Sequence, residues 1–474
     1  MTDTASSGYD EYHDPKYAYV PGGAYPTLEA RTPDDYLASA LRAERYIASR
    51  QCEDADGLHW TPDEEGDNVC LTLYAGSAGL AFLYSQLARI TGNDDYRDIA
   101  IRAARHVAAH WKDIVGVHTH VFTHDTSTMP SYEVAEVGAA AEVLLDLGER
   151  YDVPDLVEAA KTIGHWYADT AQRDGHGAYW TGTTPLTFDG GVILYLIRLA
   201  RSVHEEWLDT LLRDAAEWFL AQGDPAGEDG LKFNGYKTFR TYETLNFAYG
   251  TSGSGYLLTL LYDALGDERY LEAAKACERY LATQFIPQEK GALLPYLLNG
   301  DEPTFYYLGH CHGPAGTSKF YYRLYEETGD ERYLKVIEDM VDGLESWGAP
   351  EHMSKGLWNT PNQCCGVAGL AQFFIGLYAA DVNGHRARWK KLAERTAAVL
   401  LGWEYQRPDG SSDWPVAWRR VCPQDIGPRI GLIDGTAGVA AVLLQLYTLE
   451  HGEYEWPRFV NDPFPARAVT TFKE

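Results

Sequence analysis

The chain has 474 residues, of which 69 are acidic and 40 basic, for a formal net charge of −29. That sign excludes a nucleic-acid binder and opposes docking on anionic membranes, because both surfaces would repel it. A hydrophobic content of 45% with 13% aromatics indicates an ordinary globular core rather than a disordered chain.

Read in chain order, the N-terminus (Met1 to Gly8) lacks the basic and apolar regions of a secretion signal. No apolar stretch approaches the ~18 residues of a membrane span. The expectation is a cytoplasmic protein whose seven cysteines are thiols rather than a disulfide framework. Residues 1–30, rich in Tyr, Gly and Pro, read as an extended arm; 31–455 read as one domain and 456–474 as a tail.

Within 31–455 a unit recurs: an amphipathic helix, a loop, a Gly-x-x-Gly turn and a strongly apolar helix. The turns are Gly76–Gly79, Gly250–Gly253, Gly313–Gly316, Gly366–Gly369 and Gly435–Gly438, with degenerate copies at Val137–Ala140 and Phe188–Gly191. First positions are spaced by 61, 51, 62, 63, 53 and 69 residues, room for two helices and their connections. Segments such as Tyr36–Ser49, Tyr96–Trp111, Trp207–Gln222, Tyr270–Gln284, Tyr333–Trp347 and Arg388–Trp403 carry apolar residues at i, i+3, i+4 and i+7. The helices after the turns are apolar nearly all round and should be buried. Seven such pairs describe an all-α fold, an α/α toroid whose inner helices begin at one end of the barrel.

Three cysteines fall just before these turns in repeats five and six, namely Cys311, Cys364 and Cys365. Neighbouring inner helices pack ~8–10 Å apart, so these thiolates can meet at one ion. Zinc is the first candidate, with three protein ligands and an open fourth position. Cys52, Cys70, Cys277 and Cys422 have no repeat-equivalent partners. A histidine-rich loop with His118, His120, His124 and Asp125 has metal-binding composition, but packing or surface roles are expected there. The segment Asp174–Trp180 reads as a packed aromatic loop at the rim.

Residues Gly309-His310-Cys311-His312-Gly313 and Cys364-Cys365-Gly366 within this repeat pattern resemble the paired motifs of lanthionine synthetase C-type cyclases. The resemblance covers about residues 35–450. Cys365 stands where the family has His, a Cys-Cys-Gly variant. It implies zinc-dependent addition of a peptide Cys thiolate to dehydroalanine or dehydrobutyrine, giving lanthionine-type rings. The implied partner is a dehydrated precursor peptide, with dehydration supplied by a separate dehydratase. Two departures concern proton delivery. The family His before the repeat-four Gly is Tyr249 here, and the family Arg before the first zinc Cys falls near Tyr307. Glu133 matches the family Asp of repeat two. His312 is the first candidate for a compensating acid and His310 the second.

Three other readings remain open: addition of an external thiol such as glutathione, a non-catalytic zinc-containing peptide scaffold, and a carbohydrate-active α/α barrel. The last needs paired carboxylates, and Glu133, Asp189 and Asp434 read as scattered.

Overall fold

The amphipathic segments and the apolar runs fold as separate helices in strict alternation. A computed structural model describes residues 31–61, 69–115, 133–235, 243–298, 306–351, 360–419 and 422–451, with the side chains of 417–426 outside the description. In chain order the helices are α1 (Pro33–Ala48), α2 (Ser77–Thr91), α3 (Asp94–His110), α4 (Glu133–Tyr151) and α5 (Pro154–Thr170). There follow α6 (Asp189–Ser202), α7 (Glu206–Ala221), α8 (Thr251–Leu265), α9 (Glu268–Ala282) and α10 (Pro314–Thr328). The last are α11 (Arg332–Ser346), α12 (Val367–Ala380), α13 (Arg386–Gly402) and α14 (Thr436–Glu450).

Odd-numbered helices form the outer wall and even-numbered helices the inner one. Each inner helix packs on the outer helix that follows it and on the inner helices to either side. α14 packs on both α1 and α2, which closes the ring. The architecture is an α/α toroid of seven helix pairs. Outer helices bury one stripe, as α1 does with Tyr36, Ala40, Ala43 and Ile47. Along α14, thirteen of fifteen residues are buried, so no face is left for water. Caps explain several starts. Thr32 and Asp35 form a reciprocal capping box on α1, and Asn93 and Asp267 accept from the first turns of α3 and α9.

Most outer helices are followed by a short antiparallel hairpin. The first is β1 (Gln51–Asp54) with β2 (Gly57–Trp60), and the second is β3 (Gln172–Arg173) with β4 (Ala178–Tyr179). Three of the connections are tied to the next inner helix through that helix's first residue. Ser77, Thr251 and Thr436 accept from the backbone N–H of Trp60, Phe233 and Trp414. The Asp174–Trp180 segment packs only in its second half: Ala178 and Trp180 are buried and Tyr179 stacks on Trp218 at 5.2 Å, while Asp174, Gly175 and His176 are exposed.

Glycine at the turns is required by space. At Gly76, Gly250, Gly313, Gly366 and Gly435 a Cβ would stand 1.9–2.4 Å from the carbonyl oxygen six residues earlier. The second glycines, Gly79, Gly253, Gly316, Gly369 and Gly438, repeat this clash at 1.8–2.4 Å. One expectation fails here. Val137–Ala140 is not a turn but the interior of α4, which already runs from Glu133. Its alanines favour helix continuation, and no first glycine interrupts them.

The proposed arm (1–30), the tail (456–474) and the His118, His120, His124 and Asp125 loop lie outside the described residues.

Candidate metal centre

Five turns are linked edge to edge by their main chains. The Ala248 N–H donates to the Cys311 carbonyl at 2.9 Å, Cys311 N–H to Cys364 O at 3.1 Å, and Cys364 N–H to Ile433 O at 3.1 Å. The Ile433 N–H continues to Tyr74 O at 2.9 Å. The run ends on a side chain, with Tyr74 N–H donating to Glu136 Oε2 at 3.4 Å. Ala248, Cys311, Cys364, Ile433 and Tyr74 all sit two residues before their turn's first glycine, so backbone register brings the cysteines together.

The sulfurs of Cys311, Cys364 and Cys365 lie within 4.8 Å of one another, and Cys311 Sγ is 3.8 Å from Cys365 Sγ. Two thiolates ~2.3 Å from one tetrahedral zinc would stand about 3.8 Å apart. The donor set therefore fits zinc in spacing and in chemistry. Burial, and then hydrogen bonding with Cys364 and Cys365, pushes the Cys311 thiol well above its ordinary range. Three clustered thiols repel as anions, and a coordinated cation reverses that cost.

Two phenols flank the sulfurs. Burial first, then the charges of Cys364, Cys311 and Cys365, raises Tyr249 well above the ordinary tyrosine value. Tyr74 is raised by burial and by Cys364, Cys365 and Asp434. Both keep their protons at neutral pH.

His312 stacks on Tyr249 with centroids 4.9 Å apart, and the rings of Tyr296 and Tyr307 meet it edge-on at 4.7 and 5.2 Å. Its Nδ1 lies 2.7 Å from Asn246 Oδ1, while Asn246 Nδ2 donates to the Tyr296 carbonyl. That orientation makes Oδ1 the acceptor and puts the proton on Nδ1, so proton exchange at this ring runs through Nε2. His310 is held differently. Its Nε2 accepts from Lys319 Nζ at 2.7 Å, and burial with the lysine charge holds it well below the ordinary imidazole range. A ring so held is a poor proton donor, which separates His310 from His312.

The carboxylates are less scattered than the sequence reading expects. Glu133 and Asp434 are buried, and both act on Glu136, whose carboxyl is pushed up to about 7, mainly by burial. Asp434 also acts on Tyr74 and so reaches the sulfur side. Asp189 stays apart, accepting from the backbone N–H groups of Trp180, Thr181 and Thr183. Tyr74, Glu136 and Asn246 went unread as site residues. Tyr74 and Asp434 occupy the same repeat columns as Cys364 and Cys365, which was the available signal. Cys277 is fully buried on α9, a core thiol.

An α/α toroid carrying a three-thiol centre at its inner-helix N-termini is a narrow class. The profile of the lanthionine synthetase C-like protein family matches residues 68–146 and 189–460, and the chain belongs to that family. Among solved structures, nisin cyclase is similar at 14% identity with a TM-score of 0.54, covering 87% of this chain and 93% of that one. A cellobiose 2-epimerase from Bacillus thermoamylovorans is similar at 12% identity and a TM-score of 0.43, covering 68% and 90%. A search of the curated proteins finds no match. No helix among the described residues is long and apolar enough to cross a membrane.

Proposed function

We propose that the protein is a zinc-dependent thioether-forming cyclase of the Cys-Cys-Gly type, acting on a dehydrated precursor peptide. The observation that carries this reading is the 3.8 Å approach of Cys311 and Cys365 sulfurs, with Cys364 beside them, at the mouth of a family toroid. Cys311, Cys364 and Cys365 would hold the ion. The chemistry supplied by the bound ion is activation of a substrate thiol as thiolate at neutral pH.

In the addition, the peptide sulfur bonds to the β-carbon of dehydroalanine or dehydrobutyrine. The π pair shifts toward the α-carbon and its carbonyl, and a proton is delivered to the α-carbon. The thiol has given up one proton, so peptide mass is unchanged. Tyr249 is the proposed donor, because it keeps its proton beside all three sulfurs. His312, stacked on it and oriented by Asn246, would return the proton. Glu133, grouped with Glu136 and Asp434, is the proposed acceptor for the thiol proton. A separate dehydratase would supply the substrate.

The test pairs wild type with Cys364→Ala. Wild type should consume free thiol in a dehydrated, Cys-containing peptide at constant mass, and the variant should lose both thiolate-bound zinc and this activity. Absence of thiolate-bound metal from wild type would overturn the reading and favour a carbohydrate-active barrel using the Glu133, Glu136 and Asp434 group. Zinc without thiol consumption would favour a peptide-binding scaffold, a reading supported by Tyr249 and Tyr307 standing where the family has His and Arg. A mass gain equal to an added thiol would identify external thiol addition.

A further inference from the structure

On the outer wall of repeat one, the β1–β2 hairpin and α3 bring together a second group of donors. Asp54 Oδ1 accepts from the N–H groups of Asp56 at 2.9 Å and Gly57 at 3.1 Å, a turn that fixes the carboxylate and leaves Oδ2 facing α3. That Oδ2 lies 3.1 Å from His106 Nε2 and 3.7 Å from His59 Nδ1. One turn further along α3, His110 Nε2 lies 3.0 Å from Asp56 Oδ2. The rings of His59, His106 and His110 form a column with centroid spacings of 4.5 and 4.6 Å.

The spacing is rigid. Gly57 has φ +139° and a Cβ there would stand 2.3 Å from the Arg102 carbonyl oxygen, so the hairpin tip sits directly on α3. Hydrogen bonding satisfies part of the cluster only: His59 Nδ1 is buried with no hydrogen-bond partner. The donor atoms of Asp54, His106 and His110 all lie within 4.8 Å of one another. Donors ~2.0–2.1 Å from one tetrahedral ion stand about 3.4 Å apart, so small side-chain rotations suffice.

We infer that this face holds a divalent transition-metal ion of the zinc class through Asp54, His106 and His110, with His59 nearest as a fourth donor. Imidazoles with one carboxylate favour zinc, cobalt or nickel over magnesium or calcium. His106 is nearly fully buried, whereas the His110 and Asp54 side chains are 35% and 43% exposed, so the ion enters from solvent without unfolding. The site stands apart from the cysteine centre and does not depend on the cyclase reading.

Cobalt(II) titration of the metal-depleted full chain tests this, because only a thiolate site gives intense sulfur-to-cobalt charge-transfer absorption. Wild type should bind about two equivalents per chain. His110→Ala, at a half-buried position, and Asp54→Asn, at an exposed one, should each bind one fewer with the charge-transfer band unchanged, and Cys364→Ala should lose the band and keep the other ion. Wild type binding cobalt only at the thiolate site, or both outer-wall variants binding as much as wild type, would overturn the assignment.

Discussion

The five inner helices that begin at a glycine turn and the two that do not, α4 and α6, reach similar ends by different means. At repeats one, four, five, six and seven, main chain bonds to main chain, and the residue two before the glycine contributes only its backbone to that bond. Alanine, cysteine, isoleucine and tyrosine all serve there, so chemistry at the rim can vary without disturbing the fold. At repeats two and three a carboxylate does part of the work. Glu136 receives the last N–H of the run, and Asp189 receives three N–H groups of its own hairpin connection. A backbone device leaves side chains available for function; a side-chain device commits them.

Substituting the glycine is the most severe way to break this contrast. In Gly366→Ala the new methyl would stand 1.9 Å from the Thr360 carbonyl oxygen, and we expect a loss of ~3 kcal/mol by chemical denaturation. Metal affinity should fall with it, because Cys364 and Cys365 lead directly into that turn. Asp189→Ala comes next. It leaves the N–H groups of Trp180, Thr181 and Thr183 without their acceptor, at a cost of about 2–3 kcal/mol, and metal content should not change. A loss of metal there would show that the two kinds of helix start are not independent.

The third test is a pH dependence at Glu136. Its folded value, about 7, lies above the ordinary 4.5. A raised carboxyl contributes stability that is present below 4.5 and lost as pH rises through 7. Glu136→Gln should therefore gain Tm relative to wild type between these values, with a constant gap above, as read by thermal melts across pH. A gap that does not vary with pH would mean that Glu136 is not protonated in the fold.

The repeat was legible because glycine, apolar runs and charged faces are local properties with a fixed period. The cysteine centre was legible because a repeat converts sequence position into spatial position. Val137–Ala140 misled for the complementary reason, since a degenerate turn and an uninterrupted helix share the same small residues. The carboxylate group was hidden because Glu133 and Asp434 belong to repeats two and seven, and only ring closure makes those repeats near neighbours through repeat one. The roles of His310 and His312 differ through Lys319 and Asn246, partners nine and 66 residues away that no local pattern reveals.

The packing of α14 on α1 and α2 also bears on how the protein comes apart. An open array of helix pairs is quasi-one-dimensional: its terminal units have one neighbour each and can fray. Here every unit has two neighbours, so losing any one exposes two interfaces at once. Partial unfolding is penalised around the whole circumference, and the centre held by repeats five and six shares the cooperativity of the entire ring.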